Sequence, residues 1–81
     1  MYSYPIDYSE FDSDEIVVIV EFFSLIEDAN EKKVNKDLIL KKYKEYRSII
    51  NSVSYEKTLE REFMKVSGYS IFETIKKIKD Q

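Results

Sequence analysis

Residues 13–30, S-D-E-I-V-V-I-V-E-F-F-S-L-I-E-D-A-N, decide the fold. Wound at about 100° per residue, Val17, Glu21, Ser24 and Asp28 fall in one narrow sector. Ile16, Val18, Ile19, Val20, Phe22, Phe23, Leu25, Ile26 and Ala29 fill most of what is left. The β-branched run could serve a strand, but the stretch is too long and does not alternate. Asp12 followed three residues later by Glu15 is also the spacing of a capping box, which opens a helix. The resulting apolar arc exceeds half the circumference, more than an ordinary surface helix carries. Such a helix is either the centre of a bundle or a contact between molecules. Ile19, Phe22, Phe23 and Ile26, with Tyr4 from the preceding tail, are the candidate interaction surface.

Working outward, Asn35 caps a second helix over Lys36 to Ile50, with Ile39, Tyr43, Tyr46 and Ile50 on its buried face. Ser52 opens a third, ending near Val66, with Tyr55, Leu59, Phe63 and Val66 inward. Gly68, the only glycine, sits where a left-handed residue stops a helix. Ser70 opens a short fourth, with Glu73 placed for a second capping box and Ile71, Ile75 and Ile78 as its apolar stripe. Upstream, Pro5 fixes the backbone of an aromatic tail over residues 1–11, expected to lie extended on the bundle. The predicted fold is all-α: one domain over residues 1–81, three long helices and a shorter C-terminal one. Short connections make neighbouring helices antiparallel.

Composition excludes a good deal. The 81 residues contain no His, no Cys and one Gly. That removes disulfides, thiolate zinc sites and cysteine nucleophiles, the commonest general base, and glycine-rich phosphate loops. No catalytic residue, metal ligand or cofactor site is therefore expected, and the protein reads as non-catalytic. Sixteen acids make carboxylate pairs inevitable, so pairing alone carries no signal. The acids Asp7, Glu10, Asp12, Asp14 and Glu15 are not an EF-hand: Val17 and Phe23 stand where its glycine and glutamate belong. They read instead as a capped, dipole-matched helix start. Glu21 belongs to the polar stripe, and Glu27 is expected at an edge, paired with a base of helix two. The Ser67–Ser70 run reads as a helix–helix corner rather than an anion site, because Glu73 would occupy the helix end. Ile16–Ile26, broken by Glu21 and Ser24, is far short of the ~20 residues that span a bilayer. No positive charge precedes it, so a signal peptide is excluded and a cytoplasmic location expected.

Net charge is −3, but it is unevenly spread. Residues 1–31 hold nine acids and no base, while residues 32–50 hold seven bases and two acids. The simplest consequence is an acidic first helix packed beside a basic second one. The alternative is weak RNA or DNA binding through a basic patch of Lys36, Lys41, Lys44 and Arg47. A pI near 5.0, a charge-balanced third helix and only two arginines argue against nucleic acid. The leading expectation is a small interaction module that binds a protein partner or itself, with a homo-oligomer as the expected state.

Tyr4-Pro5-Ile6, Glu15-Ile16, Phe22-Phe23, Ile26-Glu27, Tyr43-Lys44, Tyr46-Arg47, Ile49, Ser52, Glu56-Lys57, Phe63 and Ser67-Gly68-Tyr69-Ser70 occur together in one order across nearly the whole chain. In this the sequence resembles uncharacterised protein family 0223, small proteins of low-GC Gram-positive bacteria. The corner Ser67-Gly68-Tyr69-Ser70, at its distance from Tyr4-Pro5-Ile6, is the most specific part. Phe11 stands where the family usually has Trp, Lys33 where it has Gly, and Asn51 where it has Pro. The resemblance implies a compact helical bundle, and it brings no activity, substrate or catalytic residue.

Overall fold

The computed structural model describes residues 9–80. Four helices make it up: α1 (Ser13–Glu31), α2 (Lys36–Ile49), α3 (Val53–Ser67) and α4 (Ile71–Lys79). Each start is a piece of local chemistry that satisfies an otherwise orphaned backbone N–H. The Asp12 N–H donates to Glu15 Oε1 at 3.0 Å, the return half of the capping box. Asn35 Oδ1 accepts from the Leu38 N–H at 3.0 Å. Ser52 and Ser70 hydroxyls accept from the N–H groups of Tyr55 and Glu73 at 3.4 and 3.2 Å. The α3 stop is Gly68 at φ +82°, its N–H bonded to Met64 O at 2.8 Å. The turn after α1 needs no left-handed residue: Lys32 is extended, and no non-glycine residue among those described has a positive φ.

The second capping box does not form as expected. Ser70 still accepts from the Glu73 N–H, but the carboxylate at this helix start comes from Glu60 of α3. Its Oε1 accepts from the Ser70 hydroxyl at 2.7 Å and from the Phe72 N–H at 2.8 Å. A carboxylate at the positive end of a helix is favourable. Here it also fastens α4 to α3, which a local Glu73 could not do.

The core explains the arc of α1. Ile19, Phe22, Phe23 and Ile26 are each 0% exposed, covered by Ile39, Tyr46, Ile50, Leu59, Phe63, Ile71, Ile75 and Ile78. Phe22 stacks on Tyr46 at 4.6 Å and on Tyr43 at 5.7 Å, and Phe23 stacks on Phe63 at 4.6 Å. Aromatic side chains bury roughly 150–250 Å² each, which lets a few of them cover a wide apolar face. The flanks Val18, Val20, Leu25 and Ala29 stay half-buried, and Val17, on the polar stripe, is exposed. The expected inward set of α3 holds for Leu59 and Phe63. Val66 is instead 40% exposed, one turn beyond Phe63, the last α3 residue stacked on α1.

Polar ties link the helices. Lys42 reaches Glu21 across the α1–α2 seam at 3.2 Å and Glu45 on its own helix at 3.4 Å. The bond to Glu21 is the main reason its titration is raised above the usual lysine range. Asn30 Nδ2 donates to Ile26 O and to Thr74 Oγ1, at 2.8 and 2.9 Å, closing the far end of α1 onto α4. The Tyr69 hydroxyl donates to Glu31 Oε2 at 2.9 Å, so the corner aromatic packs back as expected. The tail's last residue, Phe11, lies parallel to the Tyr55 ring at 5.9 Å; residues 1–8 of the expected tail lie outside the described residues. Among the described residues, no helix is long and apolar enough to cross a membrane.

Candidate functional site

The candidate interaction surface on α1 has to be given up. Ile19, Phe22, Phe23 and Ile26 are sealed inside a single subunit and present nothing to a partner. The bundle itself shields the arc, because α2, α3 and α4 each contribute large side chains to it. Tyr4, the fifth member of that set, lies outside the described residues. Apolar residues that do face solvent, such as Val17, Leu38, Val53 and Phe72, are distributed over all four helices.

The basic patch is partly assembled and partly divided. Lys41, Lys44 and Arg47 lie on one face of α2 and, with Lys79 from the end of α4, line an open groove of about 790 Å³. Its remaining lining is Leu40, Tyr43, Ser48 and a single acid, Asp37. Lys36 lies apart, on a different hollow with Lys32 and Lys33. Around the helix Lys36 falls only about 20° from Arg47, but it stands roughly 16 Å back along the axis, at the start of α2.

Tyr43 is the hinge of the groove. The Arg47 guanidinium carbon lies 5.7 Å from its ring centroid and the Lys79 ammonium 5.6 Å. Both fall within the ~6 Å range of cation–π attraction. Arg47 sits one turn along the same helix, so that pair was readable in the sequence as an i, i+4 neighbour. Lys79 carried no such signal; only the packing of α4 on α1 and α3 brings its last turn there. Arg47 also meets Glu56 of α3, loosely, at 3.9 Å. The groove therefore gathers four cations from two helices over a half-buried aromatic and an aliphatic floor.

Other hollows are less directed. The one beside the Ser67–Ser70 corner, about 510 Å³, mixes Lys76 and Lys77 with Glu73 and Asp80. The anion reading of that corner fails for a reason close to the expected one: a carboxylate does occupy the start of α4, but it belongs to Glu60. Neither carboxylate of interest on α1 is buried. Glu21 is exposed and paired with Lys42, and Glu27 is half-buried. Among the described residues, no group of three or more metal-ligating side chains comes together.

Behind Tyr43 lies Tyr46, 1% exposed. Burial, reinforced by the nearby Glu56 and Glu60 carboxylates, pushes its hydroxyl well above the usual tyrosine range. A raised folded-state value means the neutral form contributes stability that is complete below the unfolded value and is lost as pH rises past it. Above about pH 10, where a tyrosine in the unfolded chain ionises, stability should fall by up to about 1.4 kcal/mol per pH unit on this account. Urea unfolding of wild type and Tyr46→Phe between neutral and alkaline pH checks this. The variant should lose that part of the alkaline slope; an identical slope in both would refute it.

The sequence comparisons bear on the same chain as a whole. The model of the uncharacterised protein family UPF0223 matches residues 1–81. The chain belongs to UPF0223. A UPF0223 protein of Bacillus cytotoxicus is 42% identical over 79 residues, covering 98% of this chain and 88% of the relative. One from Oceanobacillus iheyensis is 42% identical over 79 residues, covering 98% and 89%. A third, from Streptococcus equi subsp. zooepidemicus, is 39% identical over 79 residues, covering 98% and 85%. No solved structure matches the chain. Membership in UPF0223 thus agrees with the sequence resemblance and with a helical bundle, and it assigns no role to any residue of the groove.

Proposed function

We propose that this UPF0223 chain is a small, non-catalytic, cytoplasmic interaction module whose contact surface is the α2–α4 groove, and that the groove takes an acidic segment of a partner protein. The observation that carries the reading is Tyr43 with Arg47 and Lys79, from two helices, both over its ring, and Lys41 and Lys44 lining the same groove. One-signed charge on a groove wall steers an oppositely charged partner and sets its register. The Leu40 and Tyr43 floor supplies a place for an apolar anchor between the acids. Nucleic acid fits the same cations less well. A base-stacking platform needs an open aromatic face, and Tyr43 already has Phe22, Arg47 and Lys79 against its ring.

Fluorescence anisotropy with a labelled peptide of Asp and Glu flanking one Phe tests this at low salt. Wild type is expected to bind it in the micromolar range, and Lys44→Glu/Arg47→Glu to bind roughly tenfold or more weakly. Lys57→Glu, which alters an exposed charge on α3 outside the groove, should keep wild-type affinity. Equal losses in both variants, or no binding at ~50 mM salt, would overturn the reading. A single-stranded oligonucleotide that bound as well, with the same dependence on Lys44 and Arg47, would move it to nucleic acid.

A further inference from the structure

Two buried side-chain oxygens in the described residues lack a hydrogen bond: Glu45 Oε2 and Tyr46 Oη. The first is accounted for by its ion pair with Lys42 at 3.4 Å. The second is a buried hydroxyl, and buried hydroxyls in native proteins nearly always have a partner. Tyr46 does not lie against solid packing. It borders a cavity of about 20 Å³ whose other walls are Tyr43, Glu56, Glu60, Ile71 and Phe72.

Size and chemistry of that cavity limit what can occupy it. One water needs roughly 10–15 Å³ of such volume, whereas a small organic ligand needs about 300 Å³ or more. Two carboxylates and a hydroxyl fall short of the six oxygens that Ca²⁺ or Mg²⁺ takes. Glu56 already faces Arg47, and Glu60 Oε1 is held by Ser70 and Phe72. Each carboxylate nonetheless retains accepting capacity. A neutral tyrosine hydroxyl brings one hydrogen to donate, and burial beside two carboxylates keeps that hydrogen in place.

We propose that this cavity is a binding site for a single ordered water, which accepts the hydrogen of the Tyr46 hydroxyl and donates its own to the Glu56 or Glu60 carboxylate. The water completes a polar chain through three helices: Tyr46 on α2, the glutamates on α3, and the start of α4 through Ser70 and the Phe72 N–H. It lies directly behind the wall of the groove, since Tyr43 lines both spaces. It does not depend on what the groove binds.

A high-resolution crystal structure of the full chain, together with water-to-protein NOEs in solution, tests the site. Expected is a water within hydrogen-bond distance of both Tyr46 Oη and a Glu56 or Glu60 oxygen, and an NOE from water to the Tyr46 ring. In Tyr46→Phe both signals should disappear while the helical content is kept. A direct bond from Tyr46 Oη to a carboxylate or carbonyl, or a dry cavity, would overturn the proposal, as would an NOE that persists in the phenylalanine variant. If that variant fails to fold, the wild-type crystal and NOE decide alone.

Discussion

Phe23→Ala is expected to remove about 3–5 kcal/mol of stability, while Phe72→Ala changes it by no more than about 0.5 kcal/mol. The two residues are chemically identical and differ only in where the fold puts them. Phe23 is 0% exposed, with Phe22 and Tyr46 at its sides and Phe63 stacked on it at 4.6 Å. Cutting it to alanine deletes most of a ring's transfer energy and leaves a hole that three rigid neighbours close poorly. Phe72 is 62% exposed, so its truncation removes little buried surface and only opens to solvent the small hollow it walls. At about 0.05–0.15 kcal/mol per residue, a domain of this length has a total stability of only about 4–12 kcal/mol. The Phe23 variant should therefore lose from about a quarter to all of its stability. Urea midpoints at unchanged slope measure the pair. Comparable shifts for both would mean that the α1 face is not the centre of the core.

The second large effect should come from Glu60→Ala, at about 2 kcal/mol. Two hydrogen bonds to a charged acceptor are lost together, along with a negative charge at the positive end of α4. The estimate stays at the low end because Glu60 is half-buried and the abandoned groups can turn to solvent. Glu60→Gln keeps an oxygen for Ser70 and Phe72 and should lose about half as much. Glu73→Ala, at the position a local capping box would use, should lose a few tenths of a kcal/mol. Amide exchange supplies the readout: protection at Ile75 and Ile78 should drop roughly tenfold or more in Glu60→Ala. If the Glu73 variant loosened α4 more than the Glu60 variant, Glu60 would not be the clasp of that helix.

The contrast between Glu60 and Glu73 marks how far the sequence could be read. Helix boundaries are local matters, and Asp12, Asn35, Ser52, Gly68 and Ser70 all sit where their side-chain or backbone chemistry says they should. The wide apolar arc of α1 was equally legible, as was its need for cover. Periodicity states that a face is buried but not by what, so a subunit contact and an internal core look the same until Tyr46 and Phe63 are placed. The candidate site divides in the same way. Lys41, Lys44 and Arg47 follow one another on the exposed side of α2 that a helical wheel displays, with Tyr43 at the border of its buried side. Lys36 is set apart along the axis rather than around it, and Lys79 and Glu60 needed the packing of α4. The uncompensated hydroxyl of Tyr46 was invisible, because tyrosine at a core-facing position ordinarily finds a partner.

The chain order of the core carries a consequence for how the protein is made. α1, the helix with the widest oily face, is translated ahead of all the helices that cover it, and part of its cover, Ile71, Ile75 and Ile78, follows only after α2 and α3. Until the final helix is released, Phe22 and Phe23 have only an incomplete shelter. A nascent chain in that condition exposes apolar surface that favours sticking to its neighbours, so the core can close only after α4 has been translated.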